Sequence, residues 1–268
     1  VHAHEAKAVH WAYLHKLLRN TPYILTRRVD TPIKEKWSNK LSYKNALIRV
    51  GISTLISNHI RDKKWGKVEQ IPSTLAHLTS DLEEGKKFKA QFPNKILIGH
   101  VGALVDRHKG QKVLIEAATL LETSHPEFQF VFFGDGADKE ELKAFSEKNT
   151  NVTWMGFKAN IGDYLPFLDI FAFPSRNEGL GSTLLDVMDA EVPIIASNVG
   201  GIPDIVIDQQ TGLLIPANDS KALKEAIVKL INDKTLQQSL VKGANARLEN
   251  YTPEKMAERY LKIYQLTK

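Results

Sequence analysis

Apolar runs of strand length alternate with amphipathic stretches of helix length along most of the chain, the pattern of β-α units on a parallel sheet. The alternation is cleanest between Lys95 and Ile215. There the apolar positions predict strands over 96–101, 128–133, 152–155, 170–173 and 194–196, separated by helices over 111–122, 139–148, 161–167 and 182–190. The hydrophobic period moves from about two residues to about 3.6 at each switch, which describes a doubly wound domain. A polar turn over 208–212 is followed by a short strand over 213–215, helices from about Ser220 and Lys234, and a final amphipathic helix from 253 to about 266.

The first ninety residues hold a shorter alternation. A strand ends at His4, then come a helix over 6–18, a strand over 23–26, a helix over 37–47, and strands over 53–56 and 68–71. This is part of a second Rossmann-type domain, and the polar, charged stretch 80–94 reads as the boundary region. The opening Val1-His2-Ala3-His4 lacks Met and reads as the end of a buried strand, so the expectation is a domain entered part-way through. No internal repeat or low-complexity segment interrupts the pattern.

Composition narrows the class. With 268 residues, 43% apolar and 25% charged, disorder, collagen and a disulfide scaffold are excluded. The absence of Cys removes thiol nucleophiles and Cys-ligated zinc, and fits a reducing compartment, with the cytoplasm as the default. No run approaches the roughly 18 apolar residues of a membrane span. A net charge of +5 suits phosphorylated ligands or peripheral contact with an anionic membrane on its inner face, and is too weak to imply nucleic acid.

The segment richest in chemistry is Pro174-Ser175-Arg176-Asn177-Glu178-Gly179-Leu180-Gly181-Ser182-Thr183-Leu184-Leu185-Asp186. A strand ends, a Gly-rich turn follows, and a helix opens at Ser182 with backbone N–H groups of Gly181 to Leu184 unpaired, an arrangement that binds phosphate. Glu178 stands at the carboxyl end of the strand, where open α/β sheets place ligands. The alternative is an ordinary β-α turn whose Asp186 complements the helix dipole.

This segment resembles the E-x7-E signature of retaining GT-B glycosyltransferases of family 4 (glycosyl transferases group 1). Its surroundings resemble the same family in order. Val101-Gly102-Ala103-Leu104 through Lys109-Gly110 is similar to the G-R-L…K-G segment, Phe133-Gly134-Asp135-Gly136 to the G-x-G turn, and Met155-Gly156-Phe157 to the G-F/Y turn. The stretches 198–206 and 211–216 complete the set. The resemblance implies an α/β fold of the GT-B class with two Rossmann-like domains, the N-terminal one incomplete: an acceptor-side domain over 1–78 and a nucleotide-sugar (donor) domain with its terminal helix over 79–268.

It also implies a function and roles. A sugar would pass from a nucleoside diphosphate sugar to a saccharide or lipid-linked acceptor, with retention and without a metal cofactor, in surface polysaccharide or glycolipid synthesis. Lys109 would neutralise the diphosphate. Glu178 would hold sugar hydroxyls, Gly179 and Leu180 would bind the donor beside it, the helix N-terminus from Gly181 through Ser182, Thr183 and Leu184 would hold sugar and phosphate, and Asp186 would take the ribose. Gly134, Gly156 and Phe157 would meet the nucleotide, and His4 the donor sugar near the reacting centre. Each side chain has a plainer alternative: a surface Lys109, a core Phe157, a structural His4.

The sequence departs from the family pattern in several places. Asp186 replaces the usual Glu, Ala103 the usual Arg, and Ser73-Thr74 the usual Asn-Gly. Arg107 could supply the missing cation or be a solvated loop residue. Arg27 and Arg28 could meet an anionic acceptor or be surface arginines. The basic, aromatic helix from Lys7 to Arg19 could touch membrane or pack on its sheet. His2 and His4 have zinc-ligand spacing, but no third ligand is visible. Nothing corresponds to the family's N-terminal Gly-rich loop, so a nucleotide-sugar-binding fragment without transferase activity is the competing reading, and a related GT-B epimerase a more distant one.

Overall fold

The structure, a computed structural model, describes residues 1–266, the side chain of Ala6 excepted. Two compact units are present. The first comprises Val1–Thr74, Glu178–Gly181 and the residues from Asn250 on; the second comprises Leu75–Asn177 and Ser182–Glu249.

The first unit is a four-stranded parallel sheet in the order β1-β2-β3-β4. Its elements are β1 His2–Ala3, α1 Ala6–Arg19, β2 Ile24–Arg27, α2 Trp37–Lys44, β3 Ile48–Gly51, α3 Thr54–Arg61 and β4 Val68–Gln70. The strand expected over 53–56 is instead the start of α3, and the true strand is Ile48–Gly51, just after the expected helix. The apolar run from Ala46 to Ile56 fits either period, and two local features decide it. Ser53 caps α3 by accepting the Ile56 N–H (3.3 Å), and Gly51 packs against the Ser57 backbone where a Cβ would stand 2.7 Å from its nitrogen.

The terminal helix, Pro253–Gln265, belongs to this unit rather than to the donor-side domain with which the sequence groups it. Its stripe of Met256, Tyr260 and Ile263 packs on Ile24, Ile48, Val50 and Ile71 of the first sheet. The same apolar period would cover either sheet, so amphipathicity could not choose between them.

The second unit is a six-stranded parallel sheet, order β10-β9-β8-β5-β6-β7. Its strands are β5 Ile96–Val101, β6 Phe128–Phe133, β7 Val152–Gly156, β8 Ile170–Phe173, β9 Ile194–Ser197 and β10 Leu213–Ile215. Its helices are α4 Leu82–Ala90, α5 Asp106–Lys109, α6 Gln111–Leu121, α7 Lys139–Phe145, α8 Thr183–Asp189, α9 Ile202–Ile205, α10 Ser220–Asn232 and α11 Lys234–Leu248. Both faces of the sheet are covered, as all-parallel sheets require. On one face Phe128, Phe130 and Phe132 pack with α6 and α10. On the other, Phe133 meets Phe88 and Tyr164 with tilted rings, and those two meet each other edge-on.

Phe88 corrects the reading of 80–94 as boundary: these residues include α4, whose Asp81 caps the N–H groups of Glu83 and Glu84. Only Gly85 and Phe88 of that helix are fully buried, too sparse a stripe to stand out against its charges. The helix expected over 161–167 is two 3-10 turns, Ile161–Asp163 and Leu165–Phe167, because Pro166 withholds an N–H.

Candidate functional site

The strand order reverses between β5 and β8, so the loops leaving these neighbours diverge and open a crevice at the carboxyl end of the second sheet. The loop after β5 carries α5, Lys109 and Gly110. That after β8 carries the Gly-rich segment.

Helix α5 is a single turn, too short to persist alone, and the second unit fixes it from several sides. The Asp138 carboxylate accepts its first N–H, from Asp106 (2.8 Å). Asp106 accepts the Lys112 N–H (2.8 Å) and pairs with Arg176 at 2.5 Å. The Arg176 guanidinium also reaches Asn218, and the Arg176 and Asn177 N–H groups both donate to the His108 carbonyl (2.8 and 3.2 Å). Lys109 is thereby held half-buried with its Nζ 5.1 Å from the centre of the Phe173 ring, the last residue of β8. Its stem passes over Gly102, where a Cβ would come within 3.7 Å of Lys109 Cδ. Arg107, on the same turn, is exposed.

Three neighbouring strands run into glycine: Gly102 follows β5, Gly134 follows β6 and Gly156 closes β7. Gly102 donates to the Phe133 carbonyl (3.1 Å) and Gly134 to the Gly156 carbonyl (2.9 Å), so Gly102, Gly134 and Gly156 lie side by side. Gly134, at φ 144°, faces the Gly102 carbonyl oxygen so closely that a Cβ would overlap it. Above this backbone floor lies a cavity of about 340 Å³ lined by Gly102, Ala103, Gly134, Asp135, Phe157 and Lys158, among others. Phe157 is 72% exposed beside it, so the core-packing alternative is overturned.

Under the floor is a polar pair that sequence reasoning missed. His100 is fully buried; its Nδ1 donates to the Ala172 carbonyl (3.0 Å), while the Gln111 amide donates to the Ala103 carbonyl (2.8 Å) and lies 3.5 Å from His100 Nε2. Burial pushes His100 down to about 4, against the hydrogen bond to Ala172 and helped by the charge of Lys109. A histidine within the apolar run Ile96 to Val101 was the available signal.

This histidine carries a pH signature. Unfolded, it takes a proton near pH 6.5; folded, only near 4, so its stabilising contribution is complete above 6.5 and is lost as pH falls towards 4. At one proton the loss is about 1.4 kcal/mol per pH unit. Urea midpoints at pH 7 and pH 5 should therefore differ measurably for the second unit, and by less in His100→Gln, which keeps a donor for Ala172. Equal pH dependence in both would remove His100 as the cause.

In α8, Leu184 is fully buried, so it offers a ligand only its N–H, and Ser182 makes no side-chain cap to the first turn. Thr183 is half-buried at the helix start. Asp186 is half-buried and its Oδ1 accepts the Ala76 N–H (2.8 Å). Burial raises its pKa above the usual carboxylate value, against that hydrogen bond. Ala76 is a further contact the sequence did not suggest.

The residues Glu178, Gly179, Leu180 and Gly181 belong to the first unit, with Leu180 buried and Glu178 half-buried. His4 follows β1 in this unit. Its ring lies tilted by 38° against that of His2, centroids 3.8 Å apart, and His2 is hydrogen-bonded to Tyr264 and to Thr26 Oγ1 (2.8 Å each). Burial, then the charge of Arg28, lowers the pKa of His4; His2 falls to about 4, chiefly through burial. No third ligand joins this pair, since among the described residues no three His, Asp or Glu are grouped to hold a metal. Helix α1 packs through Val9 and Ala12 and leaves Trp11, Leu17 and Leu18 exposed.

Comparison with known proteins gives the family and the fold. The sequence profile of the family "Glycosyl transferases group 1" matches residues 82–247. The chain is 29% identical over 173 residues to the capsular polysaccharide biosynthesis glycosyltransferase CapM of Staphylococcus aureus, covering 63% of this chain and 45% of that protein. It is 28% identical over 250 residues to an uncharacterised glycosyltransferase of Methanocaldococcus jannaschii, covering 85% and 70%. It thus spans less than half of CapM. The crystal structure of Anabaena HepE in complex with UDP and glucose superposes with a TM-score of 0.83 at 18% identity, covering 98% of this chain and 77% of that one, which shows the shared GT-B fold. With the profile matching more than half of its length, the chain belongs to the glycosyl transferases group 1 family.

Proposed function

We propose that this chain transfers a sugar, with retention as in family 4, from a nucleoside diphosphate sugar to a saccharide or lipid-linked acceptor in surface polysaccharide or glycolipid synthesis. The observation that supports this most is Lys109, braced at the switch point of the second sheet. A cation fixed there meets a leaving diphosphate without needing to be reorganised, which is where electrostatic catalysis gains most. The cavity over Gly134 and Gly156, with exposed Phe157 at its edge, takes the nucleoside. Asp186 takes the ribose, Glu178 the sugar hydroxyls, and the N–H groups from Gly179 to Leu184 the sugar and phosphate. His4, kept neutral beside Arg28, contacts the sugar.

In the transfer step the bond from the anomeric carbon to the phosphate oxygen breaks, and the bond to the acceptor oxygen forms on the same face. The acceptor's proton passes to the departing phosphate, and Lys109 stabilises the charge that develops there without a metal ion. HepE was crystallised with UDP and glucose, which makes UDP the first probe. Calorimetric titration with UDP and a transfer assay with UDP-sugars in EDTA, on one sample, should both be positive. Binding without transfer would leave a donor-binding fragment; no UDP binding would sink the nucleotide assignment unless another nucleoside diphosphate bound instead.

No described helix is long and apolar enough to cross a membrane. The exposed Trp11, Leu17, Leu18 and Trp37, with exposed Lys7 and Lys40 on the same two helices and Lys36 just before the second, support peripheral contact with an anionic cytoplasmic membrane face. Flotation with phosphatidylglycerol vesicles should be lost in the double variant Trp11→Glu, Leu18→Glu. Unchanged flotation would reject that surface.

A further inference from the structure

The carboxyl end of the first sheet collects positive charge that no described carboxylate neutralises. Arg27, the last residue of β2, is 8% exposed; its guanidinium reaches only the Tyr43 hydroxyl (3.3 Å) and Thr31, and its Nε has no partner. Arg28 follows, exposed, and donates to Ser73 Oγ (3.0 Å). Ser73 lies beyond β4, so the Arg28 arm crosses the end of β3, where α3 opens at its Ser53 cap. His4 is close enough for the Arg28 charge to lower its pKa. Among the described residues, no Asp or Glu forms an ion pair with Arg27, Arg28 or His4.

A buried guanidinium satisfied only by neutral oxygens, beside an exposed one braced by a hydroxyl, costs stability unless an anion offsets it. Parallel sheets take ligands at this end. The Gly-rich segment lies beside this charge: a Cβ on Gly179 would stand 2.7 Å from the Arg28 carbonyl oxygen and 3.7 Å from Ile56 Cδ1, so that segment passes close to the Arg28 backbone and the first turn of α3.

We propose that Arg28, braced by Ser73 and backed by the buried charge of Arg27, binds a phosphate group carried by the acceptor. This rests on reading the first unit as the acceptor side. A guanidinium offers a planar fork to phosphate oxygens, whereas an uncharged saccharide acceptor would gain little from it. The acceptor class is therefore a phosphorylated or diphosphate-linked saccharide or lipid.

The test uses inorganic pyrophosphate as probe, followed by phosphorus NMR line broadening at low salt with the full chain saturated in UDP. Wild type should bind pyrophosphate with UDP present. Arg28→Ala should bind it about tenfold more weakly and Ser73→Ala by less, both with unchanged UDP affinity and unchanged circular dichroism, and Arg28→Lys should recover part of the loss. Competition between pyrophosphate and UDP would overturn the proposal by assigning Arg28 to the donor, as would equal binding by wild type and Arg28→Ala. Failure of UDP itself to bind would count against the donor assignment instead, and the pyrophosphate titration would then be read without UDP, with the same variants deciding it.

Discussion

Replacing Lys109 with Ala is expected to lower the rate of sugar transfer by about two to three orders of magnitude while moving the unfolding temperature by no more than about 3 °C. Under the proposed function the leaving diphosphate would gain charge as the glycosidic bond breaks, and Lys109, on the turn that the Arg176–Asp106 pair braces, would be the cation that meets it. Removing one pre-oriented charge from such a site typically costs about 3 to 4 kcal/mol of transition-state stabilisation. The fold survives because Lys109 is only half-buried and closes a one-turn helix whose attachments run through Asp106, His108 and Gly110. The loss should fall on kcat more than on KM. Near-normal turnover would reject the assignment of Lys109, and a collapse in unfolding temperature would make it a structural residue.

The largest stability effect is expected at Gly134. Gly134→Ala would place a methyl group on the Gly102 carbonyl oxygen, backbone against backbone, at a φ of 144° that L side chains rarely adopt. Neither partner is a flexible side-chain tip, so relief requires β5 and β6 to part at their ends, at a cost of about 3 kcal/mol or more. Gly156→Ala provides the control. It also has positive φ, 69°, but a Cβ there would meet nothing within 4 Å, so the cost is only about 1 kcal/mol for the left-handed backbone. Urea unfolding of the two variants measures the difference. Equal losses would mean that backbone conformation, and not the close approach, demands glycine at 134.

The second unit was legible in the sequence because its strands are apolar runs punctuated by glycines, and the carboxyl ends of β5, β6 and β7 each carry the glycine that the backbone floor uses. What could not be read were contacts between segments far apart in sequence. Nothing local to Arg176 announces Asp106, 70 residues earlier, and nothing local to Asp186 announces the Ala76 N–H, 110 residues earlier. The first unit was read less well for a different reason. From Ala46 to Ile56 the helix and strand periods both fit, and the decision rests on one cap and one close glycine contact. Phe157 was ambiguous because an aromatic residue after a strand serves a core or a ligand equally well until its exposure is known.

The terminal helix gives the molecule an order of assembly. Every side chain of the second unit's core precedes Pro253, so that unit can close without the terminal helix. The first sheet cannot: Met256, Tyr260 and Ile263, which cover Ile24 and Ile48, emerge more than 200 residues after those strands. Until then an apolar face of that sheet waits uncovered, with the Tyr260 and Tyr264 hydroxyls still absent from Thr26 and His2. These strands are thus sealed long after they are made, and until then their apolar face is open to aggregation.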